Sequence, residues 1–326
     1  MFHPKSRNSN LLLENSKCLF CKHDSAILET QTQDYIYKST EEKFNFMRCS
    51  ECGHIYLSPR PNIKDISIIY PKNYASFSGK FSKQNPLLTK IKDSVLLSRF
   101  SMFGARLPEN AKILEIGCGD GQLLKAIKRK HMSFEVTGLD WKYQKEIEID
   151  LQRHGVLLIE STLEDVELTE DSYDFIILNQ LIEHLWEPES AIIKLHKSLK
   201  KGGLISISTP NVDGFDRAYF KNGCWGGYYA PRHLQLFNRA ELKKLLVKNG
   251  YSMVCQKNLV APVVWAYSLQ SVSIRKFNSP ILNRIFDVNN VLFLAIFSLV
   301  DLLAIKLGFS TSNQMAIAKK MCVESK

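Results

Sequence analysis

Four cysteines are spaced to hold a metal ion. Cys18 and Cys21 form one Cys-x-x-Cys pair, in CLFC. Cys49 and Cys52 form a second, in CSEC, with 27 residues between the pairs. Two such pairs supply four thiolates, the complement of tetrahedral zinc in a closed, structural site. Gly53 follows the second pair and suits a tight knuckle turn. Four cysteines serving only as buried apolar filler would not need this doubled spacing. His23 and His54 stand nearby as spare ligands. The pattern predicts a small zinc-binding module over residues 1–60 that unfolds without its metal. Cys118, Cys224, Cys255 and Cys322 show no pairing logic, and eight cysteines in 326 residues are too sparse for a disulfide scaffold.

A second constellation surrounds the run ILEIGCGDGQLL at 113–124. An apolar stretch turns through Gly117, Gly119 and Gly121 and restarts as an amphipathic segment. Glycine permits positive φ and close approach of backbone to a ligand, and a helix starting there offers unpaired N–H groups. Asp140 ends the next apolar stretch, 19 residues beyond Gly121. A carboxylate at that place can accept both hydroxyls of a ribose, so the pattern asks for a nucleoside-containing cofactor. A dinucleotide fingerprint would read G-x-G-x-x-G. Here the third glycine comes one residue early, and Gln122 takes its slot. Glu115 just before the turn would repel a pyrophosphate and attract an ammonium and a sulfonium. That favours S-adenosylmethionine over NAD.

These residues need elements to place them. AKILEIG, FEVTGLD, GVLLIES, YDFIILNQ and LISISTPN read as strands; GQLLKAIKRK and PESAIIKLHKSLKKGG read as helices between them. The fold class expected is α/β: a Rossmann-like, mostly parallel sheet with helices on both faces, plus the N-terminal zinc-binding module. In such a sheet the ligand lies beyond the carboxyl ends of the strands. The division expected is 1–60 zinc-binding module, 61–110 linking helices and a loop at YPKNYASFSGKFSKQNP, 111–250 catalytic domain, and 251–326 helical extension.

Residues 111–210 resemble class I S-adenosylmethionine-dependent methyltransferases. The E-x-G-x-G-x-G run, the acidic end of the second strand, YDFIILNQLIEHL and LKKGGLISISTPN match in order and spacing. Within that superfamily the chain resembles ubiquinone-biosynthesis-type and sugar methyltransferases, and sugar C-methyltransferases carry similar N-terminal zinc modules. The resemblance extends more weakly over RHLQLFNRAELKKLLVKNGY. It implies that Glu115, Gly117, Gly119 and Gly121 border the methionine and ribose parts of the cofactor. Asp140 would bind the ribose hydroxyls, Ser161, Thr162 and Leu163 would lie near adenine, and Asn179 and Gln180 would line the way to the acceptor.

Methyl transfer needs an aligned nucleophile, exclusion of water and often a base. His184 sits in LIEHLWEP, where the family often has Glu-His, so it and Glu183 are candidates for orienting the acceptor or moving a proton. Capping and packing of a loop would explain the same pair. His233 lies in WGGYYAPRHLQLF, where Trp225, Tyr228, Tyr229 and Phe237 could form an aromatic lid or a packed hinge. His233 is the first candidate base, with Tyr229 second. His196 reads as a surface residue. Arg232 and the basic C-terminal third could hold an anionic acceptor. A module that binds S-adenosylmethionine without turnover is the alternative from a different class.

The net charge is +10, from 43 basic and 33 acidic residues, and it is uneven. Residues 111–210 carry 12 basic and 17 acidic residues, whereas 211–326 carry 15 and 6. Basic flanks could draw an anionic small molecule or a membrane surface, but no arginine-rich tract with interleaved aromatics argues for nucleic acid. The apolar stretch 291–307 contains Asp301 and Lys306 and falls short of the ~20 residues of a spanning helix. Packing against the core or a second copy of the chain is expected of it, with peripheral membrane contact or the lining of a substrate tunnel as the alternative. The first residues show no long apolar signal segment, and a reducing, cytoplasmic setting is expected.

Overall fold

The computed structural model describes residues 11–71, 93–94, 96–97, 100, 107–220 and 222–321. Most of the expected loop at 70–86 and of the linking helices lies outside them.

The N-terminal part holds β1 (Leu13–Glu14), β2 (Ala26–Gln33), β3 (Lys43–Cys49), β4 (Ile55–Leu57) and β5 (Arg60–Pro61). There follow β6 (Lys112–Ile116), α1 (Gln122–Lys130), β7 (Glu135–Asp140), α2 (Lys145–Arg153), β8 (Val156–Glu160), β9 (Tyr173–Asn179), α3 (Pro188–Ser198) and β10 (Leu199–Pro210). The chain ends with β11 (Gln235–Leu236), α4 (Arg239–Lys248), β12 (Tyr251–Leu259), α5 (Pro262–Val272), α6 (Pro280–Ile285), α7 (Val291–Lys306) and β13 (Asn313–Lys320).

The main sheet runs β12-β13-β10-β9-β6-β7-β8. Its strands β6 to β10 are mutually parallel; β13 is antiparallel to both β10 and β12. Side chains alternate across it with the two-residue period of a strand. Leu114, Ile116, Ile176 and Leu178 pack under α3 and α4 with Ile192, Leu195, Leu242 and Leu246. Ile113, Phe175 and Ile177 face the other way, onto α1 and α2 through Leu124, Ile127, Ile147 and Leu151. Both faces are covered, which is why β6 and β9 read as unbroken apolar runs. The chain steps from β6 outward to β8, then returns to β9 on the other side of β6. This reversal opens a crevice at the carboxyl ends of the central strands.

Two parts of the fold differ from the expected division. The region after 250 is helical in its middle, but β12 and β13 at its two ends complete the main sheet. The N-terminal sheet has the order β11-β4-β3-β2, so a strand from beyond residue 230 closes it. Phe44, Phe46, Ile55 and Leu57 share one core with Trp225, Tyr228, Leu234, Trp265 and Phe293. The module is therefore built into the body of the protein.

Among the described residues, no helix is long and apolar enough to cross a membrane. Asp301 in the middle of α7 is fully buried, accepting the Ala261 N–H at 2.6 Å and the Trp265 indole N–H at 3.0 Å. It ties α7 to the start of α5. The opposite side of α7 exposes Leu292, Ile296, Leu299 and Leu303, at i, i+4, i+7 and i+11.

Candidate functional site

The glycine turn joins β6 to α1. Gly117, Gly119 and Gly121 all have positive φ, at 68°, 56° and 62°. A Cβ on Gly117 would come to 3.0 Å from Leu181, and one on Gly121 would run into Leu151. The turn is tied across to β7: the Gly117 N–H donates to Leu139 O at 2.7 Å, and the Gly119 N–H to Asp140 Oδ2 at 2.8 Å. Asp140 Oδ1 accepts the Trp141 N–H at 2.9 Å. Burial pushes the Asp140 carboxyl up to about 6, against the opposing pull of these N–H groups. The Lys142 N–H bonds to the same carboxylate, so one of its four lone-pair sites is left for another donor.

Glu115 lies at the end of β6, buried. Its Oε1 accepts the Asn179 amide at 3.1 Å, and its Oε2 is buried without a hydrogen-bond partner. Burial raises this carboxyl to about 8. Asn179 in turn accepts the Ser208 hydroxyl at 3.1 Å, and Gln180 donates to Asn313 at 3.1 Å. The carboxyl ends of β6, β9 and β10 and the start of β13 are thus linked by one polar network.

A cavity of about 820 Å³, its mouth included, opens beyond these strand ends. Gly117, Asp140, Ser161, Thr162, Leu163, Gln180 and His184 are on its wall, with Ile63, Ile66 and Trp186 as apolar lining. Glu115, Gly119 and Gly121 are not on it. Asn179 faces a separate depression with Phe100 and Phe175, and Tyr229 lines a third with Asp34 and Tyr267. Gln180 and Tyr229 both have positive φ, at 50° and 37°, a strain that non-glycine residues bear where surrounding structure fixes them.

His184 and His233, 49 positions apart, meet with ring centroids 4.6 Å apart. Glu183 completes the group: its Oε1 lies 4.0 Å from His184 Nε2 and 3.9 Å from His233 Nε2. All three are buried. Burial lowers His184 to about 4 and His233 well below its usual range, so both rings are neutral at pH 7. Burial raises Glu183 to about 8. Tyr229 packs its ring 5.1 Å from that of His233. His196, expected at the surface, is half-buried, with Nε2 3.1 Å from Gly250 O and its ring edge-on to Tyr251.

Three partners of this region have no local sequence signal. Thr209, at the end of β10, donates to Glu183 Oε2 at 2.8 Å. Tyr70 brings its hydroxyl to 2.9 Å from His184 Nδ1. Asp34 pairs with Arg232 inside the protein, across 198 positions.

The thiol sulfurs of Cys18, Cys21, Cys49 and Cys52 all lie within 4.8 Å of one another. Each pair closes a knuckle: the Lys22 N–H donates to Cys18 O at 2.9 Å, and the Gly53 N–H to Cys49 O at 3.0 Å. Four sulfurs about 2.3 Å from one ion fit this spread. His54 is no spare ligand. Its ring is fully buried between Glu241 and Gln235, at 3.1 and 2.8 Å.

The family model for a methyltransferase domain matches residues 89–256, just over half of the chain. A probable S-adenosylmethionine-dependent methyltransferase of Mycolicibacterium smegmatis is 29% identical over 144 residues, covering 43% of this chain and 52% of that protein. A probable S-adenosylmethionine-dependent methyltransferase of Mycobacterium tuberculosis is 28% identical over 142 residues, covering 43% of this chain and 48% of that protein. The chain thus spans about half the length of these two curated relatives. A ubiquinone biosynthesis O-methyltransferase of Maricaulis maris is 27% identical over 187 residues, covering 52% of this chain and 70% of that protein. With its glycine turn, its two strand-end carboxylates and a match over 89–256, the chain belongs to the methyltransferase-domain family.

Proposed function

We propose that this chain transfers a methyl group from S-adenosylmethionine to a small-molecule acceptor. The observation that carries the reading is the pair of carboxylates at the ends of β6 and β7. Asp140 faces the cavity with a lone pair to spare, and Glu115 holds a buried, unpartnered oxygen at the glycine turn. The first suits ribose hydroxyls and the second a positively charged amine. Ser161, Thr162 and Leu163 follow β8 on the same wall and would flank the adenine.

The cofactor supplies an electrophilic methyl carbon on a positive sulfur. The residues of this chain hold and orient the acceptor and help it lose its proton. His184 reaches the cavity wall as a neutral imidazole, with His233 and Glu183 behind it, and Tyr229 shapes the loop that carries His233. The basic surface of the last third favours an anionic acceptor, such as a nucleotide-linked sugar or another biosynthetic intermediate. Zinc in the four-cysteine cluster would have a structural part, since no coordination position stays open.

Asp140→Ala tests the reading. Losing hydrogen bonds to a charged acceptor costs about 1.5–3 kcal/mol, so affinity for S-adenosylmethionine falls about 10–100-fold by calorimetry. Circular dichroism stays native. Unchanged affinity would remove Asp140 from the cofactor site.

A second reading, a lipophilic acceptor met at a membrane, is favoured by the exposed apolar side of α7. Leu292, Ile296, Leu299 and Leu303 face outward, with Arg284 and Lys306 nearby in sequence. Basic residues beside an apolar stripe suit an interface rich in anionic lipid. On this reading the protein co-sediments with vesicles containing phosphatidylserine, and Leu299→Glu with Leu303→Glu reduces the bound fraction at least about fivefold, as each charge opposes burial in the interface. Equal sedimentation of wild type and variant would discard it.

A further inference from the structure

Glu183, His184 and His233 bring three possible ligand atoms together at one buried point. His184 Nδ1 lies 3.0 Å from Arg232 O, and His233 Nδ1 lies 2.7 Å from Gly227 O. A backbone carbonyl can only accept, so these contacts place the hydrogen on each Nδ1, that of His184 shared with the Tyr70 hydroxyl oxygen, and leave each Nε2 its lone pair. Both Nε2 atoms face Glu183 Oε1 at 4.0 and 3.9 Å, too far for a hydrogen bond. That oxygen is buried and has no hydrogen-bond partner. Its twin is fixed by the Thr209 hydroxyl at 2.8 Å. Burying such an oxygen without a partner is costly.

We propose that Glu183, His184 and His233 bind a divalent transition-metal ion beside the cofactor cavity, separate from the four-cysteine cluster. The three ligand atoms lie within 4.8 Å of one another. A point equidistant from them is within about half an ångström of the ~2.0–2.2 Å expected for nitrogen and carboxylate oxygen on zinc. Two imidazoles and one carboxylate form a donor set that leaves positions open, as in catalytic zinc and non-haem iron sites. The outer partners are also those of a metal site: each histidine donates its other N–H to a backbone carbonyl, and the carboxylate is held by a hydroxyl. Arg232, the nearest positive charge, is neutralised by Asp34. Of the three, His184 lies on the cavity wall.

The role assigned to the ion rests on the methyltransferase reading; its binding does not. An acceptor hydroxyl that completes the coordination loses its proton more readily, as water does on zinc. The proton passes to solvent, the oxygen bonds to the methyl carbon, and the C–S electron pair stays on sulfur. The acceptor class is then a hydroxylated molecule, and the product an ether.

The test uses the full chain equilibrated with Zn2+ and freed of excess ion. Metal analysis is expected to find two ions per chain in the wild type and one each in Glu183→Gln, His233→Gln and Cys49→Ser. With the cysteine cluster filled with zinc, added Co2+ is expected to give visible ligand-field bands without thiolate charge transfer. In His233→Gln those bands need more than about 100-fold higher Co2+. The Co2+ titration of the wild type stands by itself should a variant fail to fold. One ion per chain in the wild type with no new cobalt bands, or two ions retained in both histidine-cluster variants, overturns the site. Undiminished methyl transfer by His233→Gln holding a single ion would overturn the ion's role while leaving the enzyme reading intact. Two ions with no methyl transfer to any acceptor would support the site and remove its role.

Discussion

Cys49→Ser is expected to empty the four-cysteine cluster and to unravel the two knuckles at 18–23 and 49–54. Structural zinc contributes about 10–16 kcal/mol of binding free energy in small isolated zinc modules at neutral pH. Loss of one thiolate from a closed set forfeits most of that. Here the loss is not the loss of a whole module. The centre of the N-terminal sheet is pinned by Phe44, Phe46, Ile55 and Leu57, which pack on Trp225, Tyr228 and Leu234, and β11 pairs with β4. These contacts need no metal. Limited proteolysis is therefore expected to cut Cys49→Ser after Lys17, Lys22 or Arg48 while the wild type resists, with most of the circular dichroism retained. Chelation should reproduce the pattern. Fragmentation throughout 11–60 would restore the independent module that the cysteine spacing suggests. Protease resistance equal to wild type after full metal loss would deny the ion any structural part.

The difference between these outcomes shows what the sequence could and could not carry. Cysteine spacing is local information, and so is the glycine turn: Gly117, Gly119 and Gly121 need positive φ whatever surrounds them. Strands β6 and β9 were legible because burial on both faces makes them continuous apolar runs. Strands β12 and β13 were not. YSMVCQKNL and NQMAIAKK are mixed in polarity, and the long helical excursion between them hides their pairing. The sharing of the N-terminal sheet was equally hidden, since β11 contributes only two residues. In the candidate site, His184 and His233 were singled out by type and position, but their meeting point at Glu183 depends on the loop 211–234 folding back. Asp301 read as an obstacle to burying 291–307 in lipid. Its side chain instead faces inward and ties α5 to α7, leaving the opposite side of the helix apolar.

The Asp34–Arg232 pair, wholly a product of tertiary structure, carries the second large effect. Arg232 Nη1 and Nη2 donate to the two oxygens of Asp34 at 3.2 and 2.8 Å, and both side chains are almost completely buried, at 0% and 1% exposure. The N–H groups of Tyr37 and Ser39 and the Ser39 hydroxyl also donate to Asp34. Arg232 stacks over Tyr37 and Tyr229, at 4.6 and 5.2 Å. Burial alone would raise the Asp34 carboxyl; the charge and hydrogen bonds of Arg232, with those of Ser39, outweigh it and hold the group below 3.8. Asp34→Ala leaves a buried guanidinium without its counter-charge, which costs about 3–5 kcal/mol. Urea unfolding at pH 7 should show that loss, and the double variant Asp34→Ala with Arg232→Met should recover part of it. Because the folded carboxyl is depressed, its contribution is complete above the unfolded value and disappears as pH falls through the folded one. The gap between wild type and Asp34→Ala should therefore narrow below pH 3.8. Arg232 O also accepts from His184 Nδ1 at 3.0 Å, so Asp34→Ala should loosen the histidine cluster and weaken its hold on the proposed second ion. A loss under about 1 kcal/mol, the range of an exposed pair, would show that the clamp is not what holds the N-terminal sheet against the loop carrying His233.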